Sequence, residues 1–258
     1  DTPRYARLEG QPATGNAAVD IAYDVAGAFH DYFDQPRFGN RDSFDGAGGR
    51  LVATANYRSG ASVYNNAYWS NGQVVLGEFY GRVDDIVAHE FTHGLVEHTA
   101  GLLYYGESGA INESFADIFG EFIDRASSAS GPDNPATDWV IGEDLGPLVP
   151  ARPNGICDMR DPTRIMFSGD LADPDRMTSP FYRGSAADSH GVHANSGVGN
   201  KAAYLIAEGG TFNGQTITGL GLDMTSHVFY KALAEYLGPG SDYLDLYVAL
   251  QQACTALT

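Results

Sequence analysis

The most informative segment of this 258-residue chain is Val87-Ala88-His89-Glu90-Phe91-Thr92-His93-Gly94. It lies within residues 84–99, where the apolar side chains recur at helical spacing, and Gly101 follows as a stop signal. Histidines four residues apart on a helix leave the same face about one turn apart. The sequence therefore predicts a helix that directs the imidazoles of His89 and His93 to one point.

Two imidazoles in this arrangement can bind a tetrahedral zinc ion, which needs a third protein ligand from another element. A second predicted helix, residues 110–127, supplies Glu113 for that purpose. Glu90 lies between the histidines and can reach a zinc-bound water as a general base. Asp117, one turn beyond Glu113, and the neighbouring Asn112 are the candidates for orienting the histidines.

The competing interpretation is an ordinary amphipathic helix, because this short pattern also occurs by chance. Two histidines and two carboxylates beside a core-facing stripe are costly to bury unless they are paired or bind a metal. We therefore favour a zinc site with one open coordination position.

Composition narrows the functional classes. The chain has 33 Asp and Glu against 15 Lys and Arg, a formal net charge of −18, which argues against nucleic acid as a partner. No apolar run approaches the roughly 20 residues of a membrane span, so we expect no membrane insertion. No basic and apolar signal segment opens the sequence, and we expect a targeting signal to have been removed or to lie outside it. Cys157 and Cys254 permit one disulfide but no disulfide framework.

The predicted elements run strands first and helices after. A helix over residues 19–33 precedes short strands at 51–57, 62–65 and 73–80, which we expect to be antiparallel. After the two helices above and a long segment, 131–192, three more helices follow at 195–208, 223–237 and 241–257. This order indicates an α+β fold. We expect a mixed N-terminal lobe, residues 1–105, and an α-helical C-terminal lobe, residues 106–258, with the two-histidine helix between them.

Further stretches extend the pattern beyond this helix. They are Tyr64-Asn65-Asn66-Ala67-Tyr68-Trp69, Thr99-Ala100-Gly101-Leu102, Glu107-Ser108-Gly109-Ala110-Ile111-Asn112-Glu113, Gly191-Val192-His193-Ala194-Asn195-Ser196-Gly197 and Asn200-Lys201-Ala202-Ala203-Tyr204-Leu205. On these stretches the chain resembles the thermolysin family of neutral metallopeptidases over residues 20–258. The resemblance implies a two-lobed zincin-type fold and a secreted zinc endopeptidase that acts on proteins and peptides.

The resemblance also implies roles for single residues. One catalytic zinc would be bound by His89, His93 and Glu113, with Glu90 as the general base. The charge that develops on the substrate oxygen would be stabilised by His193 and Tyr104, with Asp188 orienting His193.

The substrate would lie extended along an edge strand, where Asn66 and the carbonyl of Ala67 would pair with its backbone. The family prefers bulky apolar side chains just after the scissile bond. A pocket for them would be lined by Ile86, Ile141 and Leu145, with Phe79 as a further candidate. As apolar residues, all four are equally well explained as core.

Calcium is the second metal that the resemblance implies, as one or two structural ions. The family's buried calcium site is matched by Asp85, Asp124, Asp138 and Glu143, with Asp144 nearby. These carboxylates come from separate segments and would repel one another without a cation. A bound calcium would also tether the long segment 131–192. The alternative is a solvated acidic surface.

The chain departs from the family pattern near Cys157, where relatives have an arginine that holds the substrate carbonyl after the scissile bond. Arg160 and Arg152 are the candidates to replace it. The N-terminal lobe is also shorter than in relatives. Because relatives continue beyond the last helix, the candidate disulfide partner of Cys254 is either Cys157 or a residue outside this sequence. The resemblance also implies that a propeptide precedes the mature enzyme, and a protein inhibitor is a further candidate partner. For the oligomeric state, we expect a monomer.

Two other functions compete with the endopeptidase. An exopeptidase of the same zinc-plus-glutamate type needs a group that binds a terminal amine or carboxylate, and no such motif stands out. A non-catalytic relative that keeps the metal for stability has no need of Glu90. The sequence therefore favours a zinc endopeptidase, and the resemblance implies cleavage on the N-terminal side of bulky hydrophobic residues.

Overall fold

The computed structural model describes residues 5–127, 136–164 and 172–258. The helices in this part of the chain are α1 (Ala17–Phe33), α2 (Asp84–Glu97), α3 (Gly106–Ala126), α4 (Asp188–Asn195), α5 (Gly197–Glu208), α6 (Leu222–Lys231) and α7 (Tyr243–Leu257). The strands are β1 (Ala53–Ser59), β2 (Ser62–Val63), β3 (Ala67–Ser70), β4 (Gln73–Gly77), β5 (Val140–Ile141), β6 (Cys157–Asp158), β7 (Gly209–Phe212) and β8 (Gln215–Thr218). The α+β prediction is confirmed, with the larger sheet first and mainly helices after it.

The larger sheet has the strand order β2-β1-β4-β3, which leaves β3 at an edge. β1 pairs with β4 in parallel, and the other two pairs are antiparallel. The expectation of an entirely antiparallel sheet is therefore wrong for β1 and β4. The chain turns back twice between them, through β2 and β3, so β4 returns in the direction of β1. Alternating hydrophobicity carries no information on strand direction, which explains the error.

Aromatic side chains join the first three helices into one core. Phe29 of α1 packs on Phe91 of α2, with ring centroids 5.7 Å apart, and both side chains are fully buried. Phe33 of α1 packs on Phe119 of α3 at 5.2 Å. The apolar face of α2 thus packs against α1 and the core, and the opposite face of the helix can carry polar groups.

Gly120 lets α3 approach α2 closely. A Cβ atom at this position would lie 2.9 Å from the carbonyl oxygen of Asp85 and 3.4 Å from the Cβ of His89. Contacts below 3.0 Å are not tolerated without movement of the backbone, so a side chain here would push the helices apart. The glycine therefore sets the distance between the helix that carries the histidines and the helix that carries Glu113.

The predicted long segment, residues 131–192, is tied down where the structure describes it; residues 131–135 and 165–171 lie outside the described part. Trp139, which is 2% exposed, donates from its backbone N to Glu121 Oε1 at 2.6 Å and from Nε1 to Glu208 Oε1 at 3.1 Å. The short pair β5–β6 follows it. Side chains of α3 and α5 thus anchor the start of the segment.

The helices after residue 195 follow the prediction, but a hairpin lies between them. β7 and β8 pair antiparallel around Asn213 and Gly214, which both have positive φ. Asn-Gly with two positive φ values is the turn that matches the twist of a two-residue hairpin. The predicted elements lack this hairpin, although Asn213-Gly214 is a sequence signal for it. None of the described helices combines the length and apolarity needed to span a membrane.

Candidate active site

Two helices bring three metal-binding side chains to one point. His89 Nε2 and His93 Nε2, from α2, lie 3.0 Å apart. Glu113, from α3, places one carboxylate oxygen 3.5 Å from His89 Nε2 and the other 3.6 Å from His93 Nε2. Ligand atoms on a tetrahedral zinc with bonds of about 2.0–2.1 Å are about 3.3 Å apart. The three residues therefore fit a zinc ion, and among the described residues they alone form such a group.

The remaining nitrogens of the two histidines are held by neighbours on α3. His89 Nδ1 lies 2.9 Å from Asp117 Oδ1, and His93 Nδ1 lies 2.8 Å from Asn112 Oδ1. Since both acceptors require Nδ1 to carry the proton, each Nε2 presents its lone pair towards the metal position. The second oxygen of Asp117 accepts a hydrogen bond of 2.7 Å from the buried Asn200 of α5, a contact that the sequence did not suggest.

The charges of the site favour a cation. Burial lowers the pKa of His89, but the hydrogen bond and charge of Asp117, with the charges of Glu113 and Glu90, outweigh it and raise the pKa to about 10. Burial raises the pKa of Glu113, but the nearby histidines and a hydrogen bond from Tyr104 outweigh it and lower the pKa to about 2. Protons and a metal ion would compete for this position, so metal binding should weaken at low pH.

Glu90 faces the same cleft as the metal-binding group. It is 6% exposed, and burial raises its pKa while the charges of His89 and His93 oppose the shift. A buried carboxylate with a raised pKa is a better proton acceptor than one in water. Its position between the two histidines follows from the helix geometry that the sequence predicted.

Tyr104 and His193 also line the cleft, next to Glu113. Tyr104 Oη donates to Glu113 Oε1 and lies 3.0 Å from His193 Nε2. His193 Nδ1 lies 2.5 Å from Asp188 Oδ1, and the backbone N of His193 donates to Asp188 Oδ2 at 3.1 Å. Burial lowers the pKa of His193, but Glu113 and Asp188 outweigh it and raise the pKa to about 9. In the metal-free protein these partners therefore favour the protonated ring of His193.

A left-handed turn presents His193 to the cleft. Asp188, Ser189, His190 and Gly191 have φ values of 54°, 48°, 70° and 77°. Non-glycine residues rarely adopt this conformation, because Cβ crowds the backbone. The His190 ring packs against Tyr105 with centroids 4.5 Å apart. The segment just before His193 is therefore a strained turn.

The zinc-binding group, Glu90, Tyr104 and His193 line one cleft with a volume of about 620 Å³. Asn66 and Ala67 lie along it beside the edge strand β3. Of the predicted pocket residues, Ile86 and Ile141 line the cleft, whereas Leu145 is fully buried and neither it nor Phe79 is among the described lining residues. Two residues that sequence reasoning missed, Tyr80 and Ile156, line the cleft instead.

Cys157 also lies in the cleft wall, at the position where the resemblance leads us to expect an arginine. Its Sγ accepts a hydrogen bond of 3.4 Å from Asn200 Nδ2, and burial raises the pKa of the thiol. The guanidinium of Arg160 is directed to Asp158 and to the carbonyl of Ala136, away from this position. Neither Arg160 nor Arg152 is among the described residues that line the cleft. Cys157 and Cys254 are both free, so they do not pair with each other.

The residues matched to a calcium site lie around the N-terminal end of α2. Asp85 is 1% exposed, and burial together with the charge of Glu143 raises its pKa well above the ordinary value. Glu143 Oε2 is buried without a hydrogen-bond partner, and the charge of Asp124 helps to raise the pKa of Glu143. An orphaned buried carboxylate oxygen among like charges fits a bound cation.

Two of the five residues in that set are placed differently. Asp138 pairs with the guanidinium of Arg125 at 3.1 Å, and Asp144 is exposed. The described carboxylates do not bring three oxygens within 4.8 Å of one another as the zinc group brings its ligand atoms. Asp85, Asp124 and Glu143 therefore lie near one another without forming a close group of three ligand atoms.

Comparison with known proteins agrees with this geometry along the whole chain. Residues 6–97 match the model of the thermolysin metallopeptidase catalytic domain, and residues 100–258 match that of the thermolysin metallopeptidase alpha-helical domain. Bacillolysin from Brevibacillus brevis is 41% identical over 238 residues, 89% of this chain and 40% of its own length. Thermolysin from Alicyclobacillus acidocaldarius subsp. acidocaldarius is 40% identical over 250 residues, 93% of this chain and 42% of its own length.

The chain thus spans about 40% of the length of these curated relatives. Among solved structures, the precursor of protealysin, a metalloproteinase from Serratia proteamaculans, superposes with a TM-score of 0.76 at 26% identity, covering 98% of this chain and 77% of that one. Two family models that together cover nearly every residue, and relatives about 40% identical, lead to one conclusion: the chain belongs to the thermolysin family of metallopeptidases.

Proposed function

We propose that the protein is a secreted zinc-dependent endopeptidase that cleaves peptide bonds on the N-terminal side of bulky hydrophobic residues. The observation that carries the proposal is the shared cleft. It brings together the zinc-binding group, a buried carboxylate, Glu90, and two hydrogen-bond donors, Tyr104 and His193. These are the parts that peptide hydrolysis requires: a proton acceptor beside the metal, and donors where negative charge develops.

Substrate binding comes first. An extended peptide would add to the sheet beside β3, with Asn66 and the carbonyl of Ala67 as backbone partners. The side chain after the scissile bond would enter an apolar pocket between Ile86 and Ile141. Tyr80 and Ile156 complete the apolar part of this wall and support the preference for a bulky hydrophobic residue.

The proton transfers then fall to Glu90. A zinc ion held by His89, His93 and Glu113 would lower the pKa of a water molecule to about 7 and polarise the peptide carbonyl. Glu90 takes the proton of the attacking water and later delivers it to the leaving amine. The protonated Nε2 of His193 and the hydroxyl of Tyr104 donate hydrogen bonds to the carbonyl oxygen as it gains charge.

The test combines metal analysis with hydrolysis of casein and of end-blocked peptides, with and without a chelator. We expect stoichiometric zinc and chelator-sensitive cleavage. Glu90→Gln should keep its zinc and lose activity by about 10²-fold or more, the usual contribution of a general base. Glu235→Gln, the same change at an exposed site outside the cleft, is the matched control. Parent-like activity in zinc-loaded Glu90→Gln would refute the proposed role of Glu90.

The same experiment separates the rival functions. Only an endopeptidase cuts peptides with both ends blocked, whereas an exopeptidase needs a free terminus. Zinc binding without cleavage of any peptide would favour a non-catalytic relative. The complete set of ligands, base and donors in one cleft supports the enzyme.

Further proposals follow from family membership. We propose one structural calcium at Asp85, Asp124 and Glu143, and retain Asp138 and Asp144 as weaker candidates. We also propose a division into lobes at residues 1–105 and 106–258, and a monomer. The protealysin precursor among the solved relatives supports a propeptide as a partner.

A further inference from the structure

One carboxylate in the cleft has no part in the proposed reaction. Glu97 lines the cleft and is exposed, whereas the other carboxylates in its described lining are buried: Glu90, Glu113 and Asp117. Glu97 follows His93 by one helical turn on α2, so both side chains project from the same face of the helix. Glu97 is therefore the carboxylate that a substrate side chain can reach.

Trp69 fixes the position of this carboxylate. Its Nε1 donates to Glu97 Oε2 at 2.7 Å. The indole is itself held, because Phe44 packs on it edge-on at 5.1 Å and it lies where a Cβ at Gly94 would come within 2.7 Å of the ring. A carboxylate held by a packed indole loses little conformational freedom when it binds a cation.

No lysine or arginine lies beside Glu97 in the described lining of the cleft, and Cys157 stands at the position where family members are expected to carry a cation. The net charge of −18 adds a negative potential over the whole surface. A cationic substrate side chain would thus be attracted to Glu97 without competition from a lysine or arginine of the described lining.

The position of Glu97 along α2 indicates which part of a substrate it meets. Ile86 lies eleven residues before Glu97, about 16 Å along the helix axis, and the metal ligands lie between them. If Ile86 contacts the side chain after the scissile bond, Glu97 faces residues before it. The turn from His93 to Glu97 spans about 6 Å, or about two residues of extended peptide.

We propose that Glu97, held by Trp69, gives the enzyme a preference for arginine or lysine at the first or second position before the scissile bond. The inference rests on the proposed endopeptidase function and specifies its substrate class. The ammonium or guanidinium group would pair with the carboxylate, while its aliphatic stem and charge lie beside the aromatic faces of Trp69 and Tyr68, which also line the cleft.

The test uses end-blocked peptides that share one apolar residue after the scissile bond and differ only before it. Arginine, glutamine or glutamate is placed at the first or at the second position, and kcat/KM is measured with the zinc-loaded enzyme. We expect arginine to exceed glutamine by about 5-fold at one of these positions, the ratio that corresponds to a favourable exposed ion pair. The ratio should fall towards one in about 1 M salt.

Two variants of Glu97 and one control identify the origin of the ratio. Glu97→Gln keeps an acceptor for Trp69 Nε1 and should bring the arginine-to-glutamine ratio close to one. Glu97→Lys should invert the preference, so that glutamate exceeds arginine. Glu235→Gln removes one surface charge away from the cleft and should keep the parent ratio.

The outcomes separate this inference from the proposed function. If no peptide is cleaved, the endopeptidase proposal fails and the specificity proposal with it. If neutral peptides are cleaved and the parent ratio is one, or if the ratio is the same in all variants, the role of Glu97 alone is overturned.

Discussion

Tyr104 Oη and His193 Nε2 lie 3.0 Å apart, although the two residues are separated by 89 positions in the chain. Tyr104 comes from the connection between α2 and α3, and His193 comes from α4. Because the Tyr104 hydroxyl donates its proton to Glu113, His193 must donate in the contact between the two rings. A substrate oxygen that enters the cleft would accept hydrogen bonds from Tyr104 and His193 in place of their present acceptors, Glu113 and Tyr104.

Tyr104→Phe removes one of these donors and leaves the ring. We expect kcat to fall by about 10²-fold, the usual loss for one donor to a developing oxyanion, with a much smaller change in KM. Tyr105→Phe is the matched control, because Tyr105 is the adjacent residue, 60% exposed, and is not among the described residues of the cleft. Equal losses in both variants would argue against a catalytic role for Tyr104.

The pH profile should report the protonation of His193. Its donor function needs the protonated ring, so kcat/KM is expected to fall as the pH rises through the pKa, which is about 9 in the metal-free protein and lower once zinc adds its positive charge. Asp188→Asn removes the charge that helps to raise this pKa and leaves only a neutral acceptor for His193 Nδ1. The alkaline limb of the variant should move by about one unit to lower pH, by analogy with other carboxylate–histidine pairs. A limb that stays in place would exclude His193 as the titrating group.

Gly120→Ala tests the close contact between α2 and α3. The added Cβ would meet the Asp85 carbonyl at 2.9 Å, and we expect the free energy of unfolding to fall by about 1–3 kcal/mol, as for other overpacked sites. Zinc affinity should fall as well, because the ligands come from both helices. Gly27→Ala in α1, where a Cβ meets nothing within 4 Å, should stabilise the protein through helix propensity. Urea unfolding and a chelator competition measure the two effects.

Calcium removal should make stability depend on pH. Burial, the largest cause, raises the pKa of Glu121 and of Glu143 to about 8. A raised carboxyl pKa means that the folded state holds its proton more tightly than the unfolded state. Its contribution to stability is therefore complete below about pH 4.5 and is lost as the pH rises to about 8.

Thermal unfolding of the zinc-loaded protein with and without excess calcium checks this expectation. Calcium should raise Tm more at about pH 8 than at about pH 5, because calcium needs the ionised carboxylates. Glu121→Gln should flatten the pH dependence of the calcium-free protein. A calcium-free Tm that is constant over this range would contradict the expectation.

The parts of the site that the sequence predicted are those governed by helix geometry. The spacing of His89 and His93, and the place of Glu113 on the next helix, require only 3.6 residues per turn. The contact of Tyr104 with His193 depends on tertiary packing across 89 residues, and only a family resemblance suggested it. No local pattern contains that information.

The residues of the specificity pocket were predicted only in part. Leu145 follows Ile141 by four residues, but Ile141 ends strand β5, whereas Leu145 ends a single 3-10 turn, Glu143–Leu145, and its side chain enters the core. Tyr80, and not its neighbour Phe79, lines the cleft. Apolar residues in irregular segments satisfy the core and the pocket equally well, so composition alone does not distinguish them.

The left-handed turn from Asp188 to Gly191 should affect how the protein unfolds and loses activity on heating. Each non-glycine residue held in such a conformation costs on the order of 1–3 kcal/mol, so the surroundings must hold the turn in place. Of the aromatic contacts in the described residues, the packing of His190 on the exposed Tyr105 is the one that supports it. This segment should therefore open locally before the helices melt, with fast amide hydrogen exchange around residue 190. His193 would then be released while most of the fold is intact, and heat inactivation should precede the loss of helical signal.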